Sequence, residues 1–271
     1  MGRFASTVEF YSRYREPYSP RFFPEVAKRL ALRGTEKLLD VGCGPGLLAI
    51  GFAPFVTEVT ALDPEAAMIE AAKTAAAEAG VKMSFVQEKL EQFSAASTFD
   101  VITIGRALHW LDREPALRVL QQIVVPSGRI LICGASNTDT PEFPWVNPYD
   151  VARSSFSPEA DEERYRRYRL DGKNWFAESG FEQIDAISVV ERREVTVAEL
   201  IGRALSKSNT SPAVLGNRRE QFEARIEAAV EPFAHHGVVQ EEVVSRASVF
   251  VPRTTSPAVD RSSTVTNRSY P

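Results

Sequence analysis

Leu38-Leu39-Asp40-Val41-Gly42-Cys43-Gly44-Pro45-Gly46 is the stretch from which the rest of this 271-residue chain is read. Leu38-Leu39-Asp40 has the character of a strand end, and the glycines that follow turn the chain into a helix beginning near Leu47. Glycines belong in such a turn because a ligand must approach the backbone closely, and side chains would block it. A glycine-rich turn alone does not say which ligand, since nucleotide-binding folds of several chemistries share it.

Outward from the turn, short apolar runs alternate with helical patterns as far as residue 136. The runs are Lys37–Val41, Glu58–Leu62, Met83–Gln87, Phe99–Ile104 and Arg129–Cys133. Between them lie helix candidates at Gly46–Ala53, Glu65–Ala79 and Arg113–Val124. This alternation reads as α/β architecture with a parallel, doubly wound sheet. The second helix is well punctuated: Asp63 can N-cap it, Pro64 fits its first turn and Gly80 ends it. Upstream, residues 1–34 form a cap and a first helix. An aromatic leader (Phe10-Tyr11-Ser12-Arg13-Tyr14-Arg15-Glu16-Pro17-Tyr18) precedes Phe22, Phe23, Val26 and Leu30 at helical spacing, with Gly34 as the stop.

The main domain is expected over 35–251, with lid or substrate insertions at 137–170 and 197–235. The stretch 137–160 is rich in Pro, Asn, Ser and Asp and reads as irregular. A charged helix (Glu159–Arg169) and a short one (Lys173–Glu178, stopped by Gly180) are expected next. A β run, Phe181–Val190, continues towards Val197. Helices at Val197–Lys207 and Arg218–Phe233 then precede a last strand, Glu242–Val251. Two late strands separated by helices suit an antiparallel addition to the sheet edge with a helical lid. The tail 252–271 has no apolar period and reads as disordered.

Bulk composition narrows the classes. With 44% apolar and 25% charged residues the chain reads as a globular protein. A net charge of −4 argues against a nucleic-acid partner. Cys43 and Cys133 exclude a disulfide framework, and neither has metal-ligand spacing. No apolar run suits a membrane span or a signal peptide, so a cytoplasmic monomer or homodimer is expected.

Charge separates the possible cofactors. A dinucleotide sets its pyrophosphate on the helix N-terminus, in the pattern G-x-G-x-x-G/A. Here position 47 is Leu, and an acid, Asp40, enters the turn directly. S-adenosylmethionine (SAM) has no phosphate; it carries a sulfonium and an ammonium, for which nearby carboxylates are favourable. Asp63, 23 positions after Asp40, ends the second strand, where a carboxylate can accept both ribose hydroxyls. The competing reading is that Asp63-Pro64 simply starts a helix. Gln87–Phe93 falls where such folds hold an adenine.

Leu38–Gly46, Val59–Pro64 with Met68, and Phe99-Asp100-Val101-Ile102 resemble the class I SAM-dependent methyltransferases. So do Ala107–Asp112 and Ile123–Arg129, and the likeness is to the small-molecule branch that includes the trans-aconitate and UbiE-type enzymes. It covers residues 8–136 well and 170–251 as topology. The resemblance implies a Rossmann-like seven-stranded sheet of order 3-2-1-4-5-7-6, the last strand antiparallel. It implies that Asp40, Gly42, Gly44 and Gly46 hold the methionine end and Asp63 the ribose. Pro64 and Met68 would flank the adenine, which also meets Lys89, Leu90 and Glu91, while Arg106 and Leu108 face the methyl group. Lys89 departs from a position that is often Asp, and Ser127 replaces the first glycine of the common Pro-Gly-Gly turn.

On the acceptor side, His109 follows the fourth strand at the carboxyl edge of the sheet and is the general-base candidate. The alternative is a half-buried His109-Trp110 packing pair. Gly105-Arg106-Ala107-Leu108 lacks the Pro-Pro-aromatic motif of exocyclic-amine methylation, and no acidic cluster suits magnesium. Tyr11, Tyr14, Arg15, Tyr18 and Trp110 are candidate substrate contacts, and Tyr11, Tyr14 and Tyr18 can equally be packing residues. Arg15, Arg106, Arg203 and Lys207 raise an anionic acceptor, a carboxylate or prenyl diphosphate. Arg164–Arg169 reads as a solvated helix face. Two other classes stay open: an NAD(P)-dependent oxidoreductase, and a non-catalytic module that keeps the fold.

Overall fold

The structure, a computed structural model, describes residues 8–94, 96–158 and 172–253. The charged helix expected at Glu159–Arg169 and the tail from residue 254 lie outside the described residues. Seven strands form one sheet of order β3-β2-β1-β4-β5-β7-β6. They are β1 (Lys37–Val41), β2 (Glu58–Leu62), β3 (Ser84–Val86), β4 (Phe99–Gly105), β5 (Val124–Asn137), β6 (Phe181–Thr196) and β7 (Val238–Pro252). Strands β1 to β5 pair in parallel, and β7 runs antiparallel between β5 and β6. This is the doubly wound, Rossmann-like sheet and strand order expected above.

The parallel centre consists of continuous apolar runs because helices cover both its faces. Leu38, Leu39, Ile102, Ile104, Ile130 and Leu131 are fully buried. On one face, α5 (Arg113–Ile123) sets Ala116, Leu117 and Leu120 against Ile102 and Ile130. On the other, α2 (Phe22–Arg29) and α3 (Leu47–Phe52) stack Phe22, Phe23 and Phe52 edge to face over Leu38 and Val101. Helix α4 (Ala66–Glu78) covers β2 and β3. A leader helix, α1 (Val8–Tyr14), lies across α4 and a later helix, α7 (Val197–Leu205). The approach to α7 is close: a Cβ on Gly202 would sit 2.5 Å from the Tyr14 ring.

The lid rises from the long strands. β5 ends its pairing with β7 at Asn137↔Val243, whereas β6 and β7 stay paired to Thr196↔Val238. A two-stranded ribbon therefore projects past the sheet. Helices α6 (Val146–Ser154), α7 and α9 (Arg219–Val230), with the short α8 (Pro212–Leu215), build a separate core on it. That core contains Trp145, Tyr149, Leu200, Phe222 and Ile226. Helix α7 starts at a capping box in which the Thr196 hydroxyl accepts from Glu199 N–H and the Glu199 carboxylate accepts from Thr196 N–H.

Several expectations are corrected. The 137–160 stretch is not irregular throughout: α6 forms within it because Trp145, Val146, Tyr149 and Ala152 recur at helical spacing on the lid core. Pro148 fits in its first turn, where no intrahelical N–H is needed. Lys173–Glu178 is a set of turns rather than a helix, pinned by the buried Trp175 and Phe176 and the bond from Phe176 N–H to Gly172 O. The N-cap position of α4 is Glu65, not Asp63. The expected disordered tail, 252–271, begins two residues early: β7 includes Pro252, and Arg253 N–H donates to Gly180 O.

Candidate cofactor and acceptor site

The site lies at the carboxyl edge of the parallel strands, where open α/β sheets bind ligands. The turn after β1 is tightly drawn. Gly42 has φ +63°, and a Cβ there would lie 2.5 Å from Ala107 Cβ in the loop after β4. The two loops can meet only because position 42 has no side chain.

Two carboxylates brace this turn and the helix that follows it. Asp40 is 1% exposed; its Oδ2 accepts from Ala49 N–H (3.1 Å) at the start of α3, and its Oδ1 accepts from the Thr103 hydroxyl (2.8 Å). Burial pushes the Asp40 carboxyl up to about 7, against the lowering effect of those two hydrogen bonds. Asp63 ends β2 with Oδ2 accepting from Gly44 N–H and Oδ1 from Glu65 N–H, both at 2.9 Å. Burial also raises its carboxyl above the ordinary value. The helix N-terminus that a pyrophosphate would need is thus filled by an acid of the chain itself, and a second acid lies beside it.

Above the turn opens a cavity of about 570 Å³, within the roughly 300–1,000 Å³ usual for small-molecule sites. Of the sequence-derived residues its wall contains Gly42, Gly44, Asp63, Pro64, Met68, Lys89, Leu90, Glu91, Arg106, His109, Trp110, Tyr11 and Arg15. Of its carboxylates, Asp63, Glu65, Glu88 and Glu91 come from the loops after β2 and β3 and Asp112 from the loop after β4, where its backbone N–H donates to Glu91. Of its cations, Lys89 comes from the loop after β3, and Arg15, Arg106, Arg153 and Lys207 come from the leader, the end of β4 and the later helices. His109 and Trp110 stand side by side, ring centroids 5.0 Å apart.

Other expected residues are elsewhere. Asp40 lies beneath the turn, on a small secondary pocket shared with Tyr18, and does not reach the main wall. Gly46 caps α3. Leu108 is buried in the core below the loop, as an apolar side chain next to Ala107 would be. Tyr14 is taken up by the close contact with Gly202, and Tyr18 stacks on Phe22 with the Arg106 guanidinium over its other surroundings, 5.0 Å from the ring centroid. Arg203 faces away from the cavity: its guanidinium is bound by Glu241. Conversely, Arg153, Ser206, Ser208 and Asn209 line the cavity without having stood out in the sequence. Only the helical spacing around Tyr149 and Ala152 could have pointed to Arg153.

Residues 38–128 match the family model described as a methyltransferase domain. A ubiquinone biosynthesis O-methyltransferase of Escherichia fergusonii is 36% identical over 108 residues, 39% of this chain and 45% of the relative. The chain thus spans less than half the length of that relative. Among solved structures, a provisionally assigned type II methyltransferase of Anaeromyxobacter dehalogenans aligns with TM-score 0.61 at 17% identity, over 89% of this chain and 98% of that one. A SAM-dependent methyltransferase of Thiobacillus denitrificans, solved with S-adenosyl-L-homocysteine, aligns with TM-score 0.53 at 16% identity, over 93% and 99%. The fold is that of the class I SAM-dependent methyltransferases. Residues 38–128 are the stretch of this chain that resembles a methyltransferase domain.

Proposed function

We propose that this protein transfers the methyl group of SAM to a small, anionic acceptor of carboxylate, hydroxyl or prenyl type. The observation that carries the cofactor half is the pair of carboxylates at the glycine turn, Asp63 on Gly44 N–H and Asp40 beneath it on Ala49 N–H of α3. They repel a diphosphate and favour a sulfonium and an ammonium. When bound, SAM supplies an electrophilic methyl group. The chain's own residues position the reactants: Asp63 holds ribose hydroxyls, Gly42 and Gly44 leave room for the methionine end, and Met68 with Lys89–Glu91 encloses the adenine. The acceptor half is supported by the cations gathered at the lid end of the cavity. A carboxylate acceptor is already ionised, whereas a hydroxyl needs a base, the role assigned to His109.

Calorimetry with SAM and NADH side by side tests the cofactor: micromolar SAM binding is expected and no heat from NADH. Absence of SAM binding would end this reading. His109→Ala should leave SAM affinity within about twofold while lowering turnover by roughly 10²–10⁴ in a metabolite screen with methyl-labelled SAM. Unaltered turnover would leave His109 as the packing partner of Trp110.

A pH dependence follows from Asp40. Its carboxyl holds a proton below about 7 in the free protein, and a cationic ligand favours the ionised form. Binding below that pH must expel the proton, so SAM affinity should fall by up to about tenfold per unit as pH drops below 7, and level off above it. Titrations at pH 6 in two buffers of different ionisation enthalpy should show nearly one proton released per SAM bound. Zero release would remove Asp40 from the binding equilibrium.

A further inference from the structure

Arg106 is the first residue past β4, and its backbone has φ +58°, a left-handed conformation uncommon for residues other than glycine. Such a conformation persists only where the surroundings impose it, and it clusters at functional sites. Here its N–H donates to Cys133 O of β5, and the next residue, Ala107, fills the space over Gly42. The guanidinium is held from several directions. Nη2 donates to Glu16 O at 2.6 Å, Tyr11 is a further side-chain partner, and Cζ lies 5.0 Å from the centroid of the Tyr18 ring. Nη1 is nevertheless buried without a hydrogen-bond acceptor, and Tyr18 Oη, on the same small pocket, is buried without a partner too. Buried polar groups are normally satisfied, so each such exception calls for a reason. Among the described residues Arg106 forms no ion pair; the Glu16 carboxylate is taken by Lys207 and Arg15.

Strand order decides which part of a ligand meets that donor. Along the row β3-β2-β1-β4, the loop after β3 carries Lys89–Glu91, β2 leads to Asp63, β1 to the glycine turn and β4 to Arg106. A ligand with its adenine after β3 and its ribose at Asp63 extends over the glycine turn and ends at the loop after β4. The main cavity and the small pocket share Tyr11, Gly42, Gly105 and Arg106 at that end. The small pocket is also lined by Asp40, so this end of the row offers one acid and one guanidinium. That pair of charges matches an amino-acid zwitterion, an ammonium beside a carboxylate, better than a lone cation or a lone anion.

We propose that Arg106, through Nη1, binds the carboxylate of the methionine end of SAM and makes the site select a cofactor that carries its whole amino acid. The inference rests on the SAM reading above and assigns Arg106 to the cofactor rather than to the acceptor. The left-handed turn and the contact of Ala107 with Gly42 fix the backbone from which the guanidinium extends, so the donor is set before the ligand arrives.

The test is calorimetry on the full chain with SAM and with decarboxylated SAM, which keeps the sulfonium and an ammonium but has no carboxylate. The wild-type protein should bind SAM about tenfold or more the tighter. In Arg106→Gln that preference should vanish: SAM binding weakens by about tenfold or more, while decarboxylated SAM stays within about twofold of its wild-type affinity. Arg106→Lys keeps a charge but loses the fork, and should show a preference between those of the other two proteins. Retained binding of decarboxylated SAM reports a folded site, which separates a carboxylate contact from a merely structural role. Equal wild-type affinity for the two ligands overturns the assignment, as does equal weakening of both in Arg106→Gln. Unchanged SAM affinity in Arg106→Gln overturns it in favour of the acceptor side. Should Arg106→Gln bind neither ligand, Arg106→Lys decides, and a preference equal to that of the wild type overturns the assignment. A wild-type protein that binds neither ligand sinks the SAM reading itself.

Discussion

Glu241→Ala is expected to destabilise the protein by about 3–5 kcal/mol, the cost typical of breaking a buried ion pair from one side. Glu241 is fully buried near the start of β7. Its Oε2 accepts from Arg203 Nη1 (2.6 Å) and Asn137 Nδ2 (2.6 Å), and its Oε1 from Arg203 Nη2 (3.0 Å) and Arg193 Nε (2.7 Å). Burial alone would raise this carboxyl, but Arg203 above all, then Asn137 and Arg193, hold it below its ordinary range. The network ties α7 to the β6–β7 ribbon and to the end of β5, so its loss strands Arg203 inside the lid. Urea denaturation should show the midpoint falling with little change in slope. A loss below about 1 kcal/mol would mean that water replaces the carboxylate at no great cost. The paired change Glu241→Leu with Arg203→Met should recover part of the loss, because it removes the stranded Arg203 charge while Asn137 and Arg193 still lose their acceptor.

Asp63→Ala should weaken SAM binding by about 1.5–3 kcal/mol, an effect of charge-assisted hydrogen bonds to ribose. The structure gives the carboxylate a second task. Each oxygen accepts one backbone N–H, from Gly44 and from Glu65, and each keeps a further lone pair for a hydroxyl. Alanine removes both the ligand contact and the brace of the glycine turn, so protein stability should fall as well, by about 1–3 kcal/mol. Asp63→Asn keeps one acceptor oxygen and should lose less of both. Calorimetry and thermal melting of the two variants separate the roles. Unchanged SAM affinity in Asp63→Ala with a lowered melting point would reduce Asp63 to the brace.

Much of this architecture was legible along the chain because its signals are local. The run Lys37–Val41, the glycines behind it and Asp63 at the end of β2 are short-range features of parallel strands and their turns. The lid was harder. Pro148 and the polar residues around it hid α6, whose helical form depends on Trp145 and Tyr149 finding Phe222 and Leu200 far along the chain. Lys173–Glu178 failed in the opposite sense: its helix-like composition yields to the burial of Trp175 and Phe176 against Phe181 and Phe250.

The doubly wound sheet, the glycine turn and the acids beside it are written into the order of residues along the chain. Those properties follow from residue spacing and from side chains adjacent in the chain. Which charges face the cavity depends on the packing of distant elements. Arg203 and Lys207 lie four positions apart and look alike in the sequence, yet one is locked to Glu241 while the other lines the cavity beside Glu16. Arg15 and Arg153, far apart in the chain, end on the same cavity wall. The physical reason is that a buried charge is defined by its partners, and these come from strands and helices that meet only once the long β6–β7 ribbon has carried the lid into place.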